Sequence, residues 1–170
     1  MASVTRQPTS NTTPDPAQGG TAVTDATNTG HGGTTSLKSG AGSTTKTCLW
    51  TGFATVSGTV TSVTLLVDWA QNGTLSDGGV STANQFTIDY SLNGGSSWLS
   101  LRDVSQVQSS TSGTSQVSLL TSQDLTQVQV RAALIASGVL GETASIVVTI
   151  SNIRLEVGTG SPSQPLLVMM

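Results

Sequence analysis

The sequence is short of the residues that do chemistry. It holds one cysteine, Cys48, and one histidine, His31. A lone thiol forms no intrachain disulfide, and with a lone imidazole it supplies neither a thiolate-rich zinc site nor a histidine cluster. Cys48 therefore reads as a small buried hydrophobe. His31 precedes Gly32-Gly33 in a stretch with nothing to bury, so a Ser-His-acid triad inside a folded domain is excluded, and neither metal nor cofactor is expected. Charged residues are only 9% of the chain, nine acidic and six basic scattered singly for a net charge of -3. No basic patch can neutralise several phosphates, which argues against nucleic acid as a partner. No run approaches the ~20 apolar residues of a membrane span, and residues 1–6 lack the apolar stretch of a secretory signal, so neither membrane insertion nor export by that route is expected.

What fills the chain is Ser, Thr and Gly, a composition of sheets and loops rather than helices. At 170 residues one domain is expected. Residues 1–46 offer only Val4, Val23 and Leu37 as large aliphatic side chains, too few for a core, and Pro8, Pro14 and Pro16 favour an extended course. Ordering such a segment costs ~1 kcal/mol or more per residue, which its own side chains do not offset. The reading is a long extended N-terminal arm, residues 1–46, held by other subunits of an assembly. A domain over residues 47–157 and a tail over residues 158–170 follow, the tail ending in the apolar Leu166-Leu167-Val168-Met169-Met170.

Within the domain, residues 85–102 carry the clearest pattern. Phe86, Ile88 and Tyr90 alternate with Thr87, Asp89 and Ser91, as in a half-buried antiparallel strand, and Asn93-Gly94-Gly95 supplies residues that tolerate positive φ at a hairpin turn. A second strand sets Val63, Leu65, Val67 and Trp69 on one face, and a third Val128, Val130, Ala132 and Leu134. In the last strand Ile146, Val148 and Ile150 share one parity and Ile153, Leu155 and Val157 the other, which predicts a bulge or a change of sheet near Ser151-Asn152. Seven or eight short strands with Gly-rich turns predict an all-β fold, a single antiparallel β-sandwich, with a jelly roll preferred over an immunoglobulin-like order.

Candidate sites are few. Asp68, Asp89 and Arg131 occupy strand positions and read as cross-strand charge partners on an outer face; the sharper alternative makes Asp68 and Asp89 the carboxylate pair of a glycan hydrolase. Asp77 lies in a Gly-rich loop without the spacing of a calcium loop. Trp69 shares the parity of the core residues. Trp50 and Trp98 are the candidate glycan contacts, since aromatic faces stack on sugar rings. Asn11-Thr12-Thr13 and Asn72-Gly73-Thr74 match the glycosylation triplet by chance in a Thr-rich chain.

Ser91-Leu92-Asn93-Gly94-Gly95-Ser96-Ser97-Trp98 resembles the Asp-box of sialidases and related β-proteins, Ser-x-Asp-x-Gly-x-x-Trp, with Asn93 in place of the Asp. The resemblance implies a folding turn and no catalytic residue. In organisation the chain is similar to β-sandwich structural proteins of tailed bacteriophages: the start Thr5-Arg6-Gln7-Pro8-Thr9-Ser10, the Thr/Gly-rich arm, and one sandwich containing Tyr90-Ser91-Leu92-Asn93-Gly94-Gly95 and ending Ile150-Ser151-Asn152-Ile153-Arg154-Leu155. That resemblance implies a non-enzymatic virion structural protein, a capsid decoration or cement protein made in the host cytoplasm, whose arm laces neighbouring subunits. Its expected partners are copies of itself and other virion proteins, the major capsid or a tail protein. The alternative is a carbohydrate-binding module or a phage tail or adhesin component.

Overall fold

The computed structural model of the chain describes residues 2–12, 23–24, 34–38, 44–75, 84–105, 110–136 and 144–160. His31, Asp77 and the apolar end at residues 166–170 lie outside them. Among the described residues the strands in chain order are β1 (Ala2–Arg6), β2 (Ser10–Thr12), β3 (Val23–Thr24), β4 (Thr34–Lys38), β5 (Thr44–Thr51), β6 (Thr59–Leu75), β7 (Asn84–Ser91), β8 (Leu99–Ser105), β9 (Thr111–Leu119), β10 (Gln129–Ala136) and β11 (Ala144–Gly160), and a 3-10 turn lies at Leu125–Gln127.

Two antiparallel sheets face each other. The first runs β3-β4-β11-β6-β9 with β1 also on β11, and the second runs β2-β5-β10-β7-β8. From β4 onward the pairs are nested: β7 with β8, β6 with β9, β5 with β10 and β4 with β11. The chain is thus one long hairpin folded over itself, with β6–β11 and β7–β10 pairing across it to complete the sheets. That is the jelly roll, and the immunoglobulin-like order is set aside.

The alternating residues explain which faces meet. Val63, Leu65, Val67 and Trp69 of β6 and Val148, Ile150, Ile153, Leu155 and Val157 of β11 are buried against Phe86, Ile88 and Tyr90 of β7, Val130 and Ala132 of β10, and Cys48 and Trp50 of β5. Trp69 and Phe86 bridge the sheets with ring centroids 6.2 Å apart. The parity change in β11 is absorbed where it was expected: the register with β6 shifts between Ser151 and Ile153, and Asn152 takes a φ of 51°. Asn enters that left-handed region at lower cost than a branched residue, so the bulge carries both halves of the strand inward.

β5 begins at Thr44, and the described parts of residues 1–46 are extended but pair with this chain's own sheets. β6 takes one side of β11, so β1 and β4 share the other, β4 along Val147 to Ser151 and β1 along Leu155 to Thr159, with the bulge between. The chain then crosses to the second sheet, where β2 lines β5, Pro8 is buried, and Thr9 N–H and Oγ1 donate to Thr51 O and Gly52 O at 3.1 and 3.0 Å. Low hydrophobicity excludes an independent core for this segment; it does not exclude ladders, which need main-chain groups and not apolar side chains. β9 opens on Ser/Thr-rich residues that nonetheless pair regularly with β6.

Candidate functional site

The tip between β7 and β8 is a self-satisfied turn. Ser91, fully buried, accepts from the N–H groups of Asn93 and Gly95 at 3.3 and 2.8 Å and donates to Asn93 Oδ1 at 2.9 Å. Asn93 Oδ1 also accepts from Ser97 N–H at 2.9 Å, and its amide donates to Ser97 Oγ at 2.8 Å. Gly94 and Gly95 have φ of 68° and 89°, as the Asn-Gly-Gly triplet implies, and Gly94 N–H donates to Gln127 O at 3.0 Å, docking the turn on the 3-10 turn. Asn93 thus accepts hydrogen bonds and closes the loop.

The turn delivers Trp98, half-buried, to the outer face of the second sheet. Val130 and Ala132 of β10 point inward, so Arg131 between them points out, directly opposite Asp89 of β7. Arg131 Nη2 and Nε reach Asp89 Oδ2 at 2.7 and 3.2 Å, and its guanidinium carbon stands 4.4 Å from the Trp98 ring centroid. Carboxylate, guanidinium and indole form one row, with Gln85 bound to Asp103 at 2.9 Å elsewhere on the sheet. Such a row can stack on a flat polar ligand and hydrogen-bond its edges, but it holds no nucleophile and base in contact.

A second network lies on the outer face of the first sheet. Asp68 accepts from Thr114 Oγ1 at 2.6 Å, from Asn152 Nδ2 at 2.8 Å and from Arg154 Nη1 at 2.9 Å, while Arg154 Nε donates to Glu156 at 3.1 Å. Burial pushes the Asp68 carboxyl up, but hydrogen bonds from Thr114 and Asn152 and the charge of Arg154 outweigh it and hold it below the usual carboxylate value. Gln7 Nε2 reaches Asn152 Oδ1 at 3.4 Å, so the network ties the bulge to the chain that follows β1.

Between the sheets, Arg102 of β8 lies with its guanidinium carbon 3.5 Å from the centroid of Trp69, whose indole N–H donates to Ser115 Oγ at 3.1 Å. Burial lowers the Arg102 pKa, and its Nε is enclosed with no acceptor among the described residues.

Several expectations are settled by these positions. Cys48 and Trp69 are core residues. Trp50 is 2% exposed and offers no face to a sugar, because the parity that buries Cys48 buries Trp50 with it. Trp98 remains the only tryptophan with an accessible surface of any size. Asp89 pairs with Arg131 as expected, whereas the partner of Asp68, Arg154, was not foreseen. Asp68 and Asp89 stand on the outer faces of opposite sheets, back to back across a sandwich whose sheets pack ~10 Å apart, and so do not flank one cleft. Among the described residues no three His, Cys, Asp or Glu side chains cluster as metal ligands, and no helix is long and apolar enough to cross a membrane. A hollow of about 300 Å³ bounded by Ala70, Gln71, Ser110, Thr111 and Ser112 has no ionisable group in its lining.

Arg102 is the residue that sequence alone hid. The ladder between β7 and β8 shifts register between Ile88 and Asp89, which places Arg102 opposite the inward Ile88. Its nearest signal is Leu101 and Val104, two apolar residues of opposite parity in one short strand.

No protein-family model matches the chain, and no curated protein matches it. Among solved structures it is similar to one described as "CBM4 structure and function" (TM-score 0.33, 9% identity, covering 75% of this chain and 84% of that one). It is also similar to a Family 16 Carbohydrate Binding Module-2 (TM-score 0.34, 11% identity, 74% and 86% covered) and to the N-terminal cellulose-binding domain from Cellulomonas fimi β-1,4-glucanase C (TM-score 0.34, 13% identity, 77% and 81% covered).

Proposed function

We propose that the chain is a non-enzymatic structural protein of a virion, a decoration or cement protein of the head or a component of the tail surface, whose N-terminal segment fastens it to neighbouring subunits. The observation that carries this reading is how that segment is bound. The side chains of β1 are exposed or half-exposed, and β1 is held by five consecutive residue pairs with β11, from Ala2↔Thr159 to Arg6↔Leu155. A strand held by its main chain needs no complementary pocket, so it can add to the equivalent edge of a neighbour by the same ladder. Repeated over a lattice, many such modest contacts give a firm coat.

The test is co-sedimentation of the full chain with purified undecorated particles, beside the variant Ser3→Pro/Val4→Pro. Adjacent residues of an edge strand turn their N–H groups to opposite sides, so one of the two prolines removes a ladder hydrogen bond whatever the register. The full chain is expected to pellet with the particles and the variant to stay in solution. Equal pelleting of both would remove the segment from attachment, and no pelleting of either would remove the virion reading.

A second reading, glycan binding, is favoured by the position of Trp98 beside Arg131 and Asp89 on one open face. It expects tryptophan emission to shift on titration with polysaccharides and the shift to vanish in Trp98→Ala. Emission that never moves would rule it out.

A further inference from the structure

The edges of the two sheets differ in how they are guarded. Exposed edges invite pairing with another chain, and proteins blunt them by shortening the strand, breaking its register or placing charge or proline on it. β3 has two residues and β2 three. β1 has five and ends on Arg6. β8 has seven, but its ladder is broken by a register shift and it carries Arg102 and Asp103. β9 has none of these devices. Its nine residues, Thr-Ser-Gly-Thr-Ser-Gln-Val-Ser-Leu, contain neither charge nor proline, run in unbroken register with β6 from Gln71↔Thr111 to Val63↔Leu119, and are exposed or half-exposed throughout. Among the described residues no strand pairs with its outer edge.

We propose that β9 is an interface between two copies of this chain, pairing antiparallel with itself across a two-fold axis so that the two first sheets become one continuous sheet. An isologous contact requires a strand that tolerates its own reversed copy. With the axis at Ser115, Ser112 meets the partner subunit's Ser118, Thr114 the partner subunit's Gln116, and Gly113 the partner subunit's Val117, and no like charges oppose. The nearest carboxylate, Asp68, is already engaged by Thr114, Asn152 and Arg154. The same operation about the middle of β8 sets Arg102 against the partner subunit's Arg102, which like-charge repulsion disfavours. A second copy therefore fits β9 and not β8. This inference does not depend on the function proposed above.

Sedimentation equilibrium of the full chain, with hydrogen exchange at two concentrations, tests it. A concentration-dependent dimer is expected, with β9 amides protected in the dimer and released on dilution. In Ser112→Lys/Ser118→Lys, two exposed positions on the outer face, the paired strands would carry four lysines along one short edge, and the dimer is expected to weaken at least about tenfold while the monomer melts unchanged. Three results would overturn the proposal: a wild-type chain monomeric up to about 1 mM, a lysine variant that dimerises as tightly as wild type, or β9 protection that does not change with dilution, which would mean that another part of the same chain covers the edge.

Discussion

Replacing Arg131 with Ala should cost the fold about 2 kcal/mol, and the structure says how that figure divides. Arg131 directs two N–H groups at one oxygen of Asp89, at 2.7 and 3.2 Å, with the two side chains 35% and 15% exposed. A solvent-exposed pair contributes ~0.2–1 kcal/mol and a hydrogen bond to a charged group in an enclosed setting ~1.5–3 kcal/mol. Because more than a third of the Arg131 side chain is open to solvent, screening holds the coupling near the lower range, at ~1 kcal/mol. The guanidinium over Trp98 adds ~0.5–1 kcal/mol. Double-mutant cycles isolate each contact: Asp89→Ala with Arg131→Ala, and Trp98→Ala with Arg131→Ala, each read from urea unfolding midpoints. Trp50 and Trp69, both buried, supply the fluorescence signal even when Trp98 is gone. The Asp89–Arg131 cycle should return the larger coupling. Values within ~0.3 kcal/mol of zero for both cycles would refute the reasoning, since the row would then be solvated side chains and not a preorganised surface.

Asp68 makes stability depend on pH. Its folded pKa lies below the usual carboxylate value, so the stabilisation is fully present above the unfolded value and is lost as pH falls through the folded one. The stability gap between wild type and Asp68→Asn should therefore narrow between about pH 6 and about pH 2; a gap that stays constant over that range would show that the carboxylate is not the acid-sensitive member of the network. At the hairpin, Asn93→Ala removes three hydrogen bonds of a turn open to solvent and should cost ~1–2 kcal/mol in thermal or urea unfolding. Asn93→Asp keeps the accepting oxygen and should cost under ~0.5 kcal/mol, and equal losses in the two variants would contradict the assignment of the accepting role to Oδ1.

The parts of this fold legible in the sequence were those where a period of two meets a buried face. Val63 to Trp69 and Phe86 to Tyr90 each announced an inner and an outer side, and the change of parity after Ile150 announced the bulge at Asn152, because a strand facing one core cannot alternate in both phases. Legibility failed where apolarity did not alternate. In β5, Leu49 follows Cys48 and precedes Trp50, so the hydrophobic pattern alone did not choose a face. The burial expected of Cys48 was the clue that should have carried Trp50 inward and left Trp98 as the sole candidate for a glycan contact. In β8 the register shift turns a half-buried cation toward Trp69, and β1, β2 and β4 leave no hydrophobic signal because their ladders rest on main-chain groups that every residue has.

The two flanks of the sandwich follow from this. On one flank the N-terminal segment closes the structure: β1 and β4 lie along β11, β2 lies along β5, and the chain between β1 and β2 passes from sheet to sheet with Pro8 buried. Cutting the chain at Thr47 would strip those strands and the start of β5, baring β11 from Val147 to Thr159, so lost binding in that truncation would not be separable from lost folding; a proline pair in β1 disturbs one ladder and leaves the rest. On the other flank the described residues place no such bridging segment, and β8 and β9 end their sheets. There the closure is made by side chains, with Arg102 from the second sheet stacked on Trp69 of the first and Gly113 leaving room, since a Cβ at that position would lie 3.2 Å from the indole. A guanidinium stem covers apolar surface while its plane lies on the ring, which seals the gap without adding a strand. Sealing the interior in this way uses no strand, so among the described residues the outer main-chain edge of β9 has no partner strand, and the flank with the half-buried cation is the one proposed to meet another chain.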